Sequence, residues 1–170
     1  MSVTEIQVTD LSVASKVIPE DTPIVMVNLL RFKTETTYHK HLDHAPSSGR
    51  EAYLGRYVPA WSAICASVAG SDDAIKPLFL GKPHASLLAG PFGAEMWDVV
   101  GVITYPSFGA FKQVLESKQY QDTALPHRLA SLEDWRLTEA LIVVAEALNN
   151  MDRIMRDPHS AAPGFADFPN

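Results

Sequence analysis

Trp97-Asp98-Val99-Val100-Gly101-Val102-Ile103-Thr104-Tyr105-Pro106, running on into Ser107-Phe108-Gly109-Ala110-Phe111, is the stretch that decides the fold. Its centre is β-branched and apolar at successive positions, which predicts a strand covered on both faces. Pro106 stops the strand, and Ser107 is a good N-cap, so a helix starts at once. That helix places Phe108, Phe111, Val114 and Leu115 on one stripe. Alternation along the strand separates Trp97, Val99, Gly101, Ile103 and Tyr105 from Asp98, Val100, Val102 and Thr104. Whichever set meets the helices also meets any ligand, and the residues alone leave that choice open.

Upstream, Ile24-Val25-Met26-Val27-Asn28-Leu29-Leu30 is a strand of the same kind, with Asn28 as its polar interruption. Pro77-Leu78-Phe79-Leu80-Gly81 reads as another strand, with 86–89 as the outer arm of a hairpin beyond the bend at Lys82-Pro83. Residues 135–144 form the last strand, although 138–148 also reads as a helix. A helix from about Arg50 carries Tyr53 and Tyr57 four apart on one face, with Trp61 one turn on. Pro59 is expected to break or kink it. A short helix over 126–131 holds His127 and Arg128, and Thr9-Asp10 caps another that ends at Pro19. The order strand, helix, strand, strand, helix, strand is α+β. It predicts the ferredoxin-like split βαβ, with both helices on one face of a four-stranded antiparallel sheet. The other face would expose roughly a dozen Val, Ile and Leu side chains, too large a patch for a monomer. A homodimer packed sheet against sheet follows. The divisions are an N-terminal extension with a short helix over 1–21, the domain over 22–145, and a C-terminal extension over 146–170.

Composition narrows the function classes. The 170 residues are 46% hydrophobic with a net charge of −6, and the densest cationic cluster is Arg31-Phe32-Lys33. That argues against nucleic acid as a partner. Cys65 is the one cysteine, so neither an intrachain disulfide nor a CxxC site is possible. The N-terminus lacks signal-peptide features, and the longest apolar run, 140–145, is far below the ~20 residues that span a bilayer. A cytoplasmic protein without a membrane partner is expected.

Taken together, Pro23 to Lys33, Tyr53 and Tyr57 with Pro59, Gly81, Trp97-Asp98 through Tyr105-Pro106-Ser107 and Phe111, Tyr120-Gln121, Arg128, and Leu132-Glu133-Asp134 through Arg136-Leu137 resemble the DUF1330 family. That family belongs to the dimeric α/β-barrel superfamily, and the resemblance covers about residues 22–140. It implies a ferredoxin-like fold dimerising through sheet faces, with a small-molecule cavity between sheet and helices. The wider superfamily includes cofactor-independent monooxygenases, polyketide cyclases, haem-handling enzymes and muconolactone-type isomerases, so the fold alone selects no reaction. The loops over 34–49 and 71–76 are longer than the family pattern, as insertions that shape a ligand site or lid often are.

Several side chains are placed to carry chemistry. Asp98, entering an apolar strand, is either ion-paired with Arg31, Arg128 or Arg136, or has a raised pKa and serves as a general base. Asn28 either ties strand to loop or donates to a ligand carbonyl. Tyr53, Tyr57 and Trp61 are core or, if their helix covers a cavity, substrate contacts alongside Trp97. Arg128 suits a carboxylate or phenolate, and His127 is the best-placed conventional acid/base. His39, His41 and His44 share no face in any one conformation, so the loop reads as solvated or a lid, and no metal site is expected. Cys65 reads as core. No dinucleotide fingerprint or P-loop occurs, and no cofactor is implied.

The expectation that follows is a cofactor-independent cyclase- or isomerase-type enzyme, moving a proton on an aromatic or polyketide-like small molecule. Asp98, His127 and Arg31 are its catalytic candidates. Asn28, Tyr53, Tyr57, Trp61, Trp97 and Arg128 are its substrate contacts. The alternatives are a cofactor-free or haem-dependent monooxygenase of the same superfamily, and a non-catalytic binding or dimerisation module.

Overall fold

The computed structural model describes residues 6, 8–39, 42, 44–69, 75–84 and 96–141. Backbone contacts divide the chain into two compact units, Met1–Ala140 and Leu141–Asn170. Nearly all of the second unit lies outside the described residues. So do the outer arm expected at 86–89 and the tail beyond 141. Among the described residues no helix is long and apolar enough to cross a membrane.

The chain runs α1 (Val8–Ala14), β1 (Ile24–Phe32), α2 (Gly49–Ala52), a π-helical turn (Tyr53–Tyr57), α3 (Val58–Ala69), β2 (Lys76–Gly81), β3 (Val99–Tyr105), α4 (Phe108–Glu116), a second π-helical turn (Tyr120–Ala124), α5 (Leu125–Ser131) and β4 (Leu132–Leu141). This is an α+β protein with one four-stranded antiparallel sheet in the order β2-β3-β1-β4. The two apolar runs, β1 and β3, are its central strands, each flanked by a strand on both edges. Asn28 lies opposite Gly101, Met26 opposite Ile103, and Ile24 opposite Tyr105. Pro77, which has no N–H to donate, sits on edge strand β2 beside a register shift between Pro77 and Phe79.

The choice of face on β3 is now settled. Ile24 and Met26 of β1 and Ile103 and Tyr105 of β3 join one apolar cluster with Ile64 and Cys65 of α3 and with Phe108, Phe111 and Val114 of α4. Gly101 and the odd-numbered set therefore look at the helices. Trp97 and Asp98 precede β3 and obey neither parity. Ser107 caps α4 as expected, its Oγ accepting the Ala110 N–H at 3.0 Å.

Three local readings need correcting. The helix over 49–69 does not break at Pro59. It widens into the π-turn first, with the Val58 N–H reaching back five residues to the Tyr53 carbonyl, so Pro59's missing donor is absorbed by a register shift. The last strand covers Leu132–Leu141, beginning three residues before Trp135. The first helix starts at Val8, ahead of Thr9-Asp10. Its Leu11 is buried, whereas Val13 is 62% exposed.

Candidate functional site

A cavity of about 480 Å³ lies between the helix-facing side of the sheet and the helices. Its floor is the even set of β1 (Met26, Asn28, Leu30) with Gly101 and Ile103 of β3 and Trp135 and Leu137 of β4. Its roof is Tyr53, Tyr57 and Trp61 from the long helix, with Arg128 from α5 closing one side. The volume falls within the range of small-molecule sites, ~300–1,000 Å³. Gly101 helps keep it open, because a Cβ there would lie 3.1 Å from Leu80 Cδ2 and 3.8 Å from Asn28 Cβ. Exposed Arg50, Lys82 and Asp98 stand at the mouth.

The sheet orients the polar floor. The Trp135 indole N–H, which can only donate, reaches Asn28 Oδ1 at 3.0 Å, and this fixes which way the Asn28 amide points. Asn28 Nδ2 donates to the Met26 carbonyl at 3.2 Å. Asn28 is thus both a structural tie and a cavity wall. Asp98 is anchored through backbone: its N–H donates to the Leu30 carbonyl at 2.8 Å and its Oδ2 accepts the Phe32 N–H at 2.8 Å. The expected ion pair of Asp98 with Arg31, Arg128 or Arg136 does not form, because strand pairing delivers it to the exposed end of β1, where a main-chain donor meets it first.

The roof is phenolic. The Tyr53 and Tyr57 rings lie with centroids 4.7 Å apart. Burial, reinforced by each other's proximity, pushes the Tyr53 hydroxyl well above the usual tyrosine range; burial also raises Tyr57, against the pull of Arg128. Tyr120 is raised in the same way, mainly by burial. All three are therefore neutral hydroxyls near pH 7. Tyr120 and Arg128 both act on the Tyr57 hydroxyl, each pulling its pKa down against burial. Arg128 is 2% exposed, donates Nη1 to the Tyr120 hydroxyl, and lies over the Trp135 ring at 4.3 Å.

Asn28, Tyr53, Tyr57, Trp61, Asp98 and Arg128 all line this one cavity. Arg31, Trp97 and His127 do not. Arg31 alternates to the opposite face of β1, where it pairs with Asp134 at 3.3 Å and Glu133 at 3.4 Å. Trp97 lies against Arg31 and Arg136, with guanidinium-to-ring distances of 5.6 and 5.7 Å. His127 faces the 34–49 loop: Tyr38 Oη is 2.9 Å from its Nδ1, the His44 ring lies 4.9 Å away, and Arg56 Nη1 donates to Tyr38 Oη at 3.0 Å. Burial first, then His44 and Arg56, hold His127 below the usual imidazole pKa. Among the described residues no three metal-ligating side chains gather, and His41 lies outside them. Burial pushes the Cys65 thiol up to about 12, which makes it a core side chain and no nucleophile.

Two features escaped the sequence reading. Trp135 was assigned only to a strand, although its alternation with Leu137 marks a buried face. The second is an internal echo: Tyr53-Leu-Gly-Arg-Tyr-Val-Pro59 and Tyr120-Gln-Asp-Thr-Ala-Leu-Pro126 share a tyrosine six residues before a proline. Each forms a π-turn that ends two residues before that proline. The residue two beyond each proline, Trp61 and Arg128, lines the cavity.

No family model matches the chain, and neither does any curated relative. Solved structures similar to it include two of one protein. One is the crystal structure of RPA0582, a protein of unknown function from Rhodopseudomonas palustris, at 23% identity with a TM-score of 0.70, covering 84% of this chain and 98% of that one. The other is the crystal structure of methylated RPA0582, at 25% identity with a TM-score of 0.66, covering 84% of this chain and 96% of that one. These likenesses speak for the fold, and for the fold alone.

Proposed function

We propose that this chain is a cofactor-independent small-molecule enzyme of cyclase or isomerase type, acting in the cavity between sheet and helices. The observation that carries the reading is the convergence of Asn28, Tyr53, Tyr57, Trp61 and Arg128 on one cavity of about 480 Å³ whose remaining walls are largely apolar. An aromatic or polyketide-like ketone fits such walls. Asp98, the carboxylate at the mouth, removes a proton from the carbon next to the carbonyl. The electron pair moves to the carbonyl oxygen, and the neutral tyrosine hydroxyls donate to the resulting enolate. Return of the proton from Asp98 at another carbon completes an isomerisation; attack by the enolate carbon on a second carbonyl, whose π pair moves to oxygen and takes the proton back from Asp98, completes a cyclisation. No oxidant or reductant is required.

The same proposal takes the chain to be a DUF1330-like member of the dimeric α/β-barrel superfamily, ferredoxin-like in topology and paired through its sheet. The strand order β2-β3-β1-β4 and the two helical crossovers support the topology. The face away from the helices supports the pairing: Val25, Val27, Leu29, Val100 and Val102 lie outside the core cluster, and Phe79 beside Val102 is 55% exposed.

The test is proton exchange. Intact protein incubated in D2O with a panel of aryl ketones and aryl β-diketones is expected to accelerate exchange next to the carbonyl, read by mass spectrometry. Asp98→Asn should lower that rate by ~10²-fold or more, as loss of a general base does. Equal exchange in both proteins would remove Asp98 from the chemistry. Tight binding with no exchange would favour the binding-module reading.

A further inference from the structure

Arg128 is the one buried feature that the cavity's own walls leave incomplete. A guanidinium keeps its charge at any pH a protein survives, and a buried charge is normally neutralised by an acid. Even the more exposed cations among the described residues find carboxylates: Arg31 with Glu133 and Asp134, Arg136 with Asp134, Lys112 with Glu20, and Lys118 with Asp122. Arg128 has no carboxylate among the described residues, although it is 2% exposed. Its partners are a hydroxyl and π-faces: the Tyr120 hydroxyl, with the Trp135 ring at 4.3 Å and the Tyr120 ring at 5.6 Å. Its Nε–H, one arm of the fork that grips carboxylates in parallel, has no hydrogen-bond partner among the described residues.

The surroundings say what kind of anion would complete it. Arg50 and Lys82 stand exposed at the mouth, balanced in part by Asp98, so among the described residues Arg128 supplies the cavity's single interior cation. One cation matches one negative charge and leaves a phosphate dianion undercompensated. Asn28 and the phenols add neutral donors, while Met26, Leu30, Ile103 and Leu137 demand an apolar body and Trp61 and Trp135 offer flat faces. We propose that the cavity takes a monoanionic carboxylate on an apolar, aromatic body, with the Arg128 guanidinium and the adjoining tyrosine hydroxyls holding the carboxylate. This rests on the cavity being a small-molecule site, as argued above, and adds the chemical class of its occupant.

The experiment titrates the intact protein calorimetrically with three probes of one shape: 2-naphthoate, its neutral amide, and 2-naphthylmethylammonium. The carboxylate is expected to bind roughly 10- to 100-fold more tightly than the amide, as a charge-assisted hydrogen-bonded pair would give, and the cation not at all. Arg128→Met should abolish that preference, carboxylate and amide then binding alike. Met matches the stem but forfeits the Tyr120 hydrogen bond and the Trp135 contact, so the comparison is made well below the variant's melting temperature. Equal binding of carboxylate and amide to wild type would overturn the anion assignment while leaving the small-molecule reading intact. Failure of all three probes to bind would overturn both. A carboxylate preference that survives in Arg128→Met would also overturn the assignment, by placing the anion elsewhere in the cavity.

Discussion

Asn28 and Trp135, 107 positions apart, fix each other's orientation: the indole N–H selects the amide oxygen, and the same ring then lies flat beneath Arg128. Trp135→Phe keeps an aromatic floor but strands the Asn28 oxygen and weakens the cation–π contact. It should cost about 1–2 kcal/mol in denaturant unfolding. Asp98 can be dissected by two substitutions. Asp98→Ala loses the acceptor for the Phe32 N–H and should cost about 1 kcal/mol, whereas Asp98→Asn retains an acceptor oxygen and should unfold close to wild type. If both destabilise equally, the carboxylate's charge matters more to the fold than its hydrogen bond does. Six of the nine singled-out site residues line the cavity, and the three that do not fail for identifiable reasons. Arg31 is one residue off the helix-facing parity of β1, Trp97 lies just before β3 begins, and His127 is one position before Arg128 on a helix, which turns it about 100° away.

At the scale of elements, β1, β3 and α4 were legible because their signals are local: two apolar runs, and a serine opening an amphipathic stripe. The long helix was harder. Pro59 carries a helix-breaking signal, and the π-turn that absorbs it shows only when its sequence is set beside the second copy before Pro126. The Ser48-Gly-Arg-Glu51 capping box is a local signal of the same kind: Ser48 Oγ accepts the Glu51 N–H at 3.2 Å, and Glu51 Oε2 accepts the Ser48 N–H at 3.0 Å. What no local pattern discloses is how the helices dock. Gly49 sits where three segments meet, its N–H on the Lys33 carbonyl and the Lys33 N–H on the Ser131 carbonyl. A Cβ there would lie 2.2 Å from the Ser131 carbonyl oxygen and 2.7 Å from that of Lys33. Both obstacles are backbone, so Gly49→Ala should destabilise by about 3 kcal/mol or more in urea unfolding, the scale of overpacking. The 34–49 loop is latched to α5 through Tyr38 and His127, a contact spanning 89 residues that periodicity cannot foresee. The folded His127 pKa lies below the ordinary value near 6.5. Between those two pKa values the unfolded chain binds more protons than the folded one. Stability from this group is therefore present above pH ~6.5 and is lost as pH falls through the folded pKa. Melting temperature is expected to fall more steeply on acidification from pH 7.5 to 5 in wild type than in His127→Gln, and identical slopes would disconnect His127 from acid sensitivity.

At the scale of the molecule, the sheet has two unlike faces. One carries the cavity and its helices. The other presents Val25, Val27, Leu29, Val100 and Val102, with exposed Phe79 at its margin, and a second copy is its proposed cover. Sedimentation equilibrium should find twice the chain mass, and Val102→Lys should shift the species toward monomer by burying a charge in that interface. A wild-type monomer would leave the apolar face without its proposed partner. The cavity reading does not depend on that result, because its walls come from one chain. The most direct measurement is a crystal structure of the protein grown with 2-naphthoate. Its carboxylate is expected within hydrogen-bond distance of the Arg128 Nε and Nη atoms, with the ring system between Trp135 and the Tyr53–Tyr57 roof. A carboxylate found at Lys82 or Arg50, or a cavity left empty at saturating probe, would contradict the account.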